Sequence, residues 1–298
     1  MSEKMNQSNW GYVFRELREA KNFSLSKAAG DYQGSTNYIT SKVQVSRFER
    51  GISDITLTKI SGLLENIGVS FEEYLYHIRS YEQPREISLV EHLGRFQELN
   101  QLDKIEEQHL ILANDYQKTK QRKFYWLALE FKAYLALKNF KDYEIKAEEI
   151  NAVSDYLFSV LEWGESEIFL FGEFIPFLSE KQVFDYAKEV VNRTEFYRQF
   201  PQHKQQVVLM IRDCALYFID KTMKEEANEL LKDYKNLIAS PIVDVYNRKE
   251  YKFVEGKYLL MVGKKQEAQQ IFEFLAQMYE LLDYPETAEM IRKIVTNK

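Results

Sequence analysis

Apolar residues recur at helical spacing along almost the whole chain, and this regularity restricts the fold more than any single motif does. Stretches such as 125–137 and 183–190 place Tyr, Leu, Ala or Val every three or four residues, which is the pattern of an amphipathic helix. Helix-breaking residues are scarce, with five prolines and eleven glycines in 298 residues. No run with strand periodicity stands out between turn residues. The sequence therefore predicts an all-α fold.

The segment from Ser41 to Gly51 has the properties of a helix that lies in the major groove of DNA. Ser41 followed by Gln44 is a capping-box pattern, and Gly51 suits the position just after a helix C-terminus. Val45 and Phe48 form the predicted buried stripe of this helix. The outward-facing residues that we predict to contact DNA are Lys42, Gln44, Ser46, Arg47 and Arg50.

These side chains match the chemistry of base recognition. Glutamine can pair bidentately with adenine and arginine with guanine, whereas lysine or serine can hold a phosphate or a base edge. Taken alone, the same segment is also compatible with an ordinary amphipathic surface helix whose charged groups contact only water. The surrounding sequence decides between the two interpretations.

Four further short helices are predicted around this segment. They cover residues 9–22, 24–29 and 56–67, and the last begins at Ser70. The stretch 31–40 is polar and rich in turn residues, and it is longer than the turn of a minimal helix-turn-helix. Five short helices with the third outermost are expected to form a compact DNA-binding domain.

The run Val-Ser-Arg-Phe-Glu-Arg-Gly at 45–51, within the segment 11–76, resembles the phage-repressor type of helix-turn-helix. In particular, it resembles that of Rgg/MutR-type regulators of streptococci and their relatives. The resemblance implies that a glutamate of the reading helix pairs with an arginine of the first helix. In this chain those residues are Glu49 and Arg18. The longer loop at 31–40 departs from the family pattern.

A change in composition marks the predicted domain boundary. Ser80, Gln83 and Pro84 cluster there, and proline disfavours helix in the residue before it. We predict a helix-turn-helix domain at 1–78, a linker at 79–86, and a dimerisation and peptide-binding domain at 87–298.

The predicted second domain consists of helical hairpins. Its breaks fall every 15 to 20 residues, a rhythm that favours a stacked solenoid over an irregular α-bundle. Gly256, Ala268 and Phe272 are spaced like the helix-packing residues of a tetratricopeptide repeat, and Gly263 marks the turn between its two helices. The other hairpins match this pattern poorly. Rgg-type proteins have such a repeat domain, so the resemblance implies an α-solenoid of tetratricopeptide-like hairpins.

Two predicted helices of this domain, at 168–178 and 207–219, are too apolar to be simple surface elements. Arg212 lies among apolar residues of the second and Glu173 among those of the first, and a charged side chain in such surroundings needs a partner. Either the two residues pair internally, or Arg212 anchors the terminus of a bound peptide. The candidate peptide-binding residues are Glu173, Asn192, Arg212, Tyr217, Tyr246, Arg248 and Lys252.

Charge and motif content limit the possible functions. The net charge is −6, but the first 76 residues hold equal numbers of basic and acidic residues, so the excess negative charge lies beyond them. A neutral module of this kind is expected to bind DNA through dimerisation and shape more than through bulk charge. The single cysteine, the lack of a signal peptide and the lack of a long apolar segment predict a cytoplasmic protein without a membrane span.

No pattern in the sequence predicts enzymatic chemistry. There is no glycine-rich phosphate loop, no paired zinc-ligand spacing and no nucleophile elbow. Glu106 and His109 have the spacing of a di-iron ligand pair, but the second such pair is missing. We therefore expect neither an enzyme, nor a metal, nor a cofactor.

Two functional hypotheses from different classes follow. The first is a homodimeric transcription regulator that binds a double-stranded operator and, as the family resemblance implies, senses a short apolar signalling peptide with its repeat domain. The second is a helical-repeat scaffold that binds a partner protein and uses the helix-turn-helix only as a tether to DNA. A response of the protein to synthetic peptides would distinguish them.

Overall fold

A computed structural model describes residues 7–79, 85–199, 201–239 and 244–296 of the chain. Within these ranges the regular structure is entirely helical, as the sequence predicts. The α-helices are α1 (Gln7–Ala20), α2 (Leu25–Ala29), α3 (Lys42–Glu49), α4 (Leu57–Ile67), α5 (Phe71–Ile78), α6 (Arg85–Glu98), α7 (Leu102–Thr119), α8 (Arg122–Leu137), α9 (Ala147–Ser159), α10 (Glu165–Phe174), α11 (Glu180–Arg193), α12 (Pro201–Asp220), α13 (Lys224–Leu237), α14 (Val245–Met261), α15 (Lys265–Leu281) and α16 (Pro285–Thr296).

The chain divides into two compact units, Met1–Leu99 and Asn100–Lys298. The predicted linker at 79–86 includes residues 80–84, which lie outside the described residues. The predicted domain limits of 1–78 and 87–298 therefore stay predictions.

Short polar residues begin four helices of the first unit. Ser24, Ser41, Thr56 and Ser70 each accept a hydrogen bond from the backbone N–H three residues later, which satisfies a donor that the helix itself leaves unpaired. Gly51 follows α3 with φ +68°, a left-handed conformation that glycine adopts without steric cost. The ends of the reading helix are therefore set by local sequence.

The core of the first unit joins the faces of α1 to α5. Phe14, Val45, Leu63 and Tyr74 are almost completely buried in it. Gly11 lets α1 approach the end of α3 closely, because a Cβ at this position would lie 1.9 Å from the carbonyl oxygen of Phe48. The packing of α1 against α3 thus depends on a glycine in a helix interior.

In the second unit, α8, α10, α12 and α14 form a row in which each helix contacts the next. Hairpin partners pack beside this row, with α7 against α8, α9 against α10, α11 against α12 and α15 against α14. A continuous core of apolar side chains runs through the row, with Phe171, Ile211 and Phe218 fully buried. This arrangement is the predicted α-solenoid.

The hairpin of α14 and α15 contains the predicted repeat residues. Phe272 is buried against Gly256, where an added Cβ would lie 2.8 Å from Cζ of the ring. Ala268 is fully buried beside it, and Gly263 turns the chain with φ +84°. The spacing read from the sequence therefore corresponds to a small residue that accommodates an aromatic ring on the facing helix.

Candidate functional site

The reading helix α3 presents a basic face. Val45 and Phe48 are buried in the core, whereas Lys42, Arg47 and Arg50 are exposed. Ser46 is half-buried, and its backbone oxygen accepts a hydrogen bond from Nε of Arg50 at 3.1 Å. The three exposed cations can therefore approach a polyanion directly. Ser46 is only partly accessible to such a ligand.

A buried ion pair holds α3 on α1. Nε of Arg18 donates to Oε1 of Glu49 at 2.6 Å, and Nη2 donates to Oε2 at 2.9 Å. The two side chains are only 8% and 5% exposed. The hydrogen bonds to Glu49 raise the pKa of Arg18, so the guanidinium remains charged. This is the pair that the family resemblance implied, and its geometry fixes the orientation of the reading helix.

Gln44 has a different environment from the one expected of a base-reading residue. Its Oε1 accepts hydrogen bonds from Oγ1 of Thr40 at 2.5 Å and from Nζ of Lys59 at 2.8 Å. Only one half of the expected capping box forms, because Oγ of Ser41 accepts from the Gln44 N–H while the glutamine side chain points to Lys59. A bidentate pair with adenine needs this oxygen, so Gln44 is better suited to positioning Lys59.

The loop before α3 is ordered by the end of α2. The N–H groups of Ile39 and Thr40 donate to the carbonyl oxygen of Ala29, and Oδ2 of Asp31 accepts from the N–H of Lys42 at 2.8 Å. A carboxylate at a helix N-terminus is electrostatically favourable. The long loop therefore supports the first turn of the reading helix.

A groove in the second unit lies between α10 and α12. It encloses a cavity of about 300 Å³. Gly172 on α10 lets Met210 of α12 approach closely, since a Cβ there would lie 2.8 Å from Cε of Met210. The lining residues are mostly apolar with a few charged groups: Ile168, Phe169, Gly172, Glu173, Ile175, Gln206, Leu209, Met210, Arg212 and Asp213.

Arg212 is held in this groove by two carboxylates. Its guanidinium lies 2.8 Å from Asp213 and 3.3 Å from Glu250, which is on α14. Burial disfavours the charge of the guanidinium, but the two carboxylates outweigh this effect and raise the pKa of Arg212. Desolvation by the groove walls raises the pKa of the Asp213 carboxyl group, although Arg212 opposes the shift. Glu173, the internal partner considered from the sequence, lines the same cavity.

The other predicted peptide contacts are dispersed. Asn192 lines a separate cavity with Arg193 and Glu195. Tyr217 is half-buried with its ring edge against Phe218. The remaining three lie on exposed parts of α14: Tyr246, Arg248 and Lys252. Of the predicted set, the groove brings together Glu173 and Arg212.

Sequence reasoning missed several polar residues at the groove. Asp213 and Gln206 lie on the same helix as Arg212 and line its cavity. They are one and six positions from Arg212, and neither spacing is the three or four residues that marks one helix face, so periodicity did not point to them. Glu250 could not be recognised in this way, since it lies 38 positions further along the chain. Asn247 was missed for the same reason; its side chain exchanges hydrogen bonds with Gln205 and so links α14 to α12.

One carboxyl group beside the groove helices is deeply buried. Glu130 on α8 is 3% exposed. Burial raises its pKa well above the ordinary value, and the nearby carboxylates Glu173 and Glu167 add to the shift. Burial and the two neighbouring carboxylates thus both favour the neutral form of this group over its charged form.

The described residues show neither a membrane-crossing helix nor a metal-binding cluster. None of the helices in this part of the chain is both long and apolar enough to cross a bilayer. The same residues hold no group of three or more His, Cys, Asp or Glu side chains placed to bind a metal ion.

Comparison with known proteins assigns the family. The family model for the C-terminal domain of the HTH-type transcriptional regulator Rgg matches residues 108–293. The crystal structure of the Streptococcus dysgalactiae SHP pheromone receptor Rgg2 is similar, with 24% identity, a TM-score of 0.75, and coverage of 96% of this chain and 99% of that chain. A putative transcriptional regulator from Listeria monocytogenes EGD-e is 18% identical with a TM-score of 0.78, over 97% of this chain and 96% of that chain.

A third structure, the PrgX/cCF10 complex, is 12% identical with a TM-score of 0.68, over 97% of this chain and 99% of that chain. At these identities the structures show a common fold, whereas the family match covers more than half of the chain. The chain therefore belongs to the Rgg family of HTH-type transcriptional regulators.

Proposed function

We propose that this protein is a cytoplasmic transcription regulator that binds an operator through α3 and is controlled by a short apolar signalling peptide in the groove between α10 and α12. The observation that carries the proposal is the presence, in one chain, of an exposed basic reading helix and of an apolar groove with a charged residue, Arg212, at its wall. The similar structures support the proposal that this protein binds a peptide, because one is a pheromone receptor and another is a complex with cCF10.

The basic face of α3 supports DNA binding with divided roles. Arg47 is exposed in the middle of the helix, where a guanidinium can read guanine in the major groove. Contacts to phosphates suit Lys42, Arg50 and Lys59, the last of which donates a hydrogen bond to Gln44. Because one such module buries little surface, tight binding requires two half-sites, so we propose a homodimer.

The groove supports peptide binding through a mixture of apolar walls and one cation. A short peptide can bury apolar side chains between Phe169 and Leu209, and its carboxylate can replace Asp213 or Glu250 as a partner of Arg212. Asp213 is the group more easily displaced, since its side chain is 49% exposed whereas that of Glu250 is 19% exposed. A ligand of this kind controls DNA binding only if it binds one arrangement of the protein better than another.

The test combines operator binding with a peptide response. A duplex enriched by the wild-type protein from randomised DNA serves as the operator, and its affinity is measured with and without a pool of short synthetic apolar peptides. We expect at least one peptide to change the operator affinity of the wild type, and Arg212→Gln to abolish that change while the basal operator affinity remains the same.

Lys264→Gln is the matched control, because this exposed lysine lies outside the groove and pairs with Glu267, three residues further along the chain. It should respond like the wild type. If Arg212→Gln responded to peptide like the wild type, binding of the peptide in the groove between α10 and α12 would be contradicted. The absence of any peptide effect on the wild-type protein would contradict peptide control.

A further inference from the structure

The exposed face of α3 carries one apolar side chain, that of Val43, which is not buried in the core. Val43, Arg47 and Arg50 are spaced four and three residues apart, so they form one stripe on the helix. Both arginines are exposed, and Val43 is 60% exposed. The apolar residues that hold α3 in the domain, Val45 and Phe48, face the opposite way and are buried.

Helix formation does not explain Val43 either. A β-branched side chain loses rotamer freedom in a helix, and most unbranched residues are better helix formers at an exposed position. The first turn of α3 is already stabilised by Ser41, whose hydroxyl caps the helix, and by Asp31, whose carboxylate accepts from the N–H of Lys42. Neither contact involves the side chain of Val43.

The position of Val43 is the one from which a reading helix contacts bases. In helix-turn-helix domains the N-terminal residues of the recognition helix meet the base edges in the major groove. Gln44 occupies the same turn, but its side-chain oxygen accepts hydrogen bonds from Thr40 and Lys59. Of these neighbours, Val43 presents its side chain outwards in line with Arg47.

We propose that Val43 is a specificity-determining residue that packs against the C5 methyl group of a thymine in each operator half-site. Thymine alone among the four bases presents a methyl group in the major groove, and apolar side chains recognise it by contact. Arg47 lies one helical turn further along, about 6 Å away. The thymine should therefore lie within about two base-pair steps of the base that Arg47 contacts. This inference rests on the proposed DNA-binding function.

The experiment removes the methyl group from the DNA and the side chain from the protein. Full-length wild-type protein first enriches a duplex from a randomised pool. Each thymine of that duplex is then replaced singly by deoxyuridine, which lacks only the methyl group, and affinities are measured for the wild type, Val43→Ala and Leu57→Ala. Leu57 is the matched control, because it is another exposed apolar residue of this unit, at 69% exposure.

We expect one thymine per half-site at which deoxyuridine weakens wild-type binding about fourfold, the effect of losing one apolar methyl contact. Val43→Ala has a shorter side chain that reaches the methyl group less well, so it should discriminate between the thymine and deoxyuridine duplexes less than the wild type does, whereas Leu57→Ala should discriminate like the wild type. Since alanine is the better helix former, Val43→Ala should keep its melting temperature.

Three results would overturn the inference. One is that no thymine methyl group affects wild-type binding, and another is that Val43→Ala discriminates as the wild type does. The third is that Val43→Ala weakens binding to all duplexes alike and changes the sedimentation behaviour of the protein, which would make Val43 a protein contact. If the wild type enriches no duplex at all, DNA binding itself is refuted, and the failure is then not specific to Val43.

Discussion

Removing the carboxylate of Glu49 should destabilise the first unit strongly. In Glu49→Ala the guanidinium of Arg18, 8% exposed, loses two hydrogen bonds of 2.6 and 2.9 Å and keeps those to the carbonyl oxygen of Phe23 and to Glu19. Breaking a buried ion pair in this way costs about 3 to 5 kcal/mol. A unit of about 100 residues has a free energy of unfolding of about 5 to 15 kcal/mol, so the loss is a large fraction of it.

The reason for this cost is the charge left behind and not the attraction of the pair itself. Replacing both partners with apolar residues of similar size, in Arg18→Met with Glu49→Leu, removes the guanidinium that has lost its buried partner. That double variant loses the hydrogen bond to Phe23, which is worth about 1 kcal/mol. It should therefore be more stable than Glu49→Ala by at least about 2 kcal/mol.

Hydrogen exchange followed by mass spectrometry on the whole chain can measure both variants, because it reports the opening free energy of each segment separately. Amides of α1 and α3 should exchange faster in Glu49→Ala, while those of α14 and α15 serve as the internal reference and should not change. A loss below about 1 kcal/mol in Glu49→Ala, or a double variant as unstable as the single one, would refute this reasoning.

Two further predictions follow from other contacts. Gly11→Ala should prevent α1 from packing on α3, because its Cβ would overlap the carbonyl oxygen of Phe48, and circular dichroism should show a new low-temperature transition that the wild type lacks. Glu130→Gln should raise the melting temperature at pH 8, with a gain that shrinks towards pH 4.5. The pKa of Glu130 is raised in the folded state, so its contribution to stability is complete below the unfolded pKa and is lost as the pH rises. An unchanged melting profile in either variant would contradict the corresponding prediction.

Local signals in the sequence predicted the secondary structure and the location of the reading helix. Ser41 and Gly51 bracket α3 because capping depends on residues within one turn of the helix end. Gly256 and Phe272 could be assigned to one hairpin because repeat spacing encodes contacts between neighbouring helices. In both cases the relevant partners are close in sequence or follow a fixed period.

The features that could not be predicted are side-chain contacts between segments that lie far apart in the sequence. The surroundings of the Gln44 side chain could not be predicted, because Lys59, which donates a hydrogen bond to it, lies fifteen positions away on another helix. The partner of Arg212 on α14, Glu250, could not be inferred either, since many carboxylates of the second unit were equally plausible from periodicity alone. Side-chain pairing across helices depends on the rotation and offset of each helix, which apolar periodicity specifies only approximately.

Hydrogen exchange with and without the active peptide tests the central claim most directly, namely that the peptide occupies the groove between α10 and α12. The proposal predicts slower exchange in residues 168–175 and 206–213, which line the cavity, and a loss of this protection in Arg212→Gln. Protection confined to α14, α15 and α16, where a separate apolar cavity is lined by Phe253, Leu275 and Ile291, would contradict it.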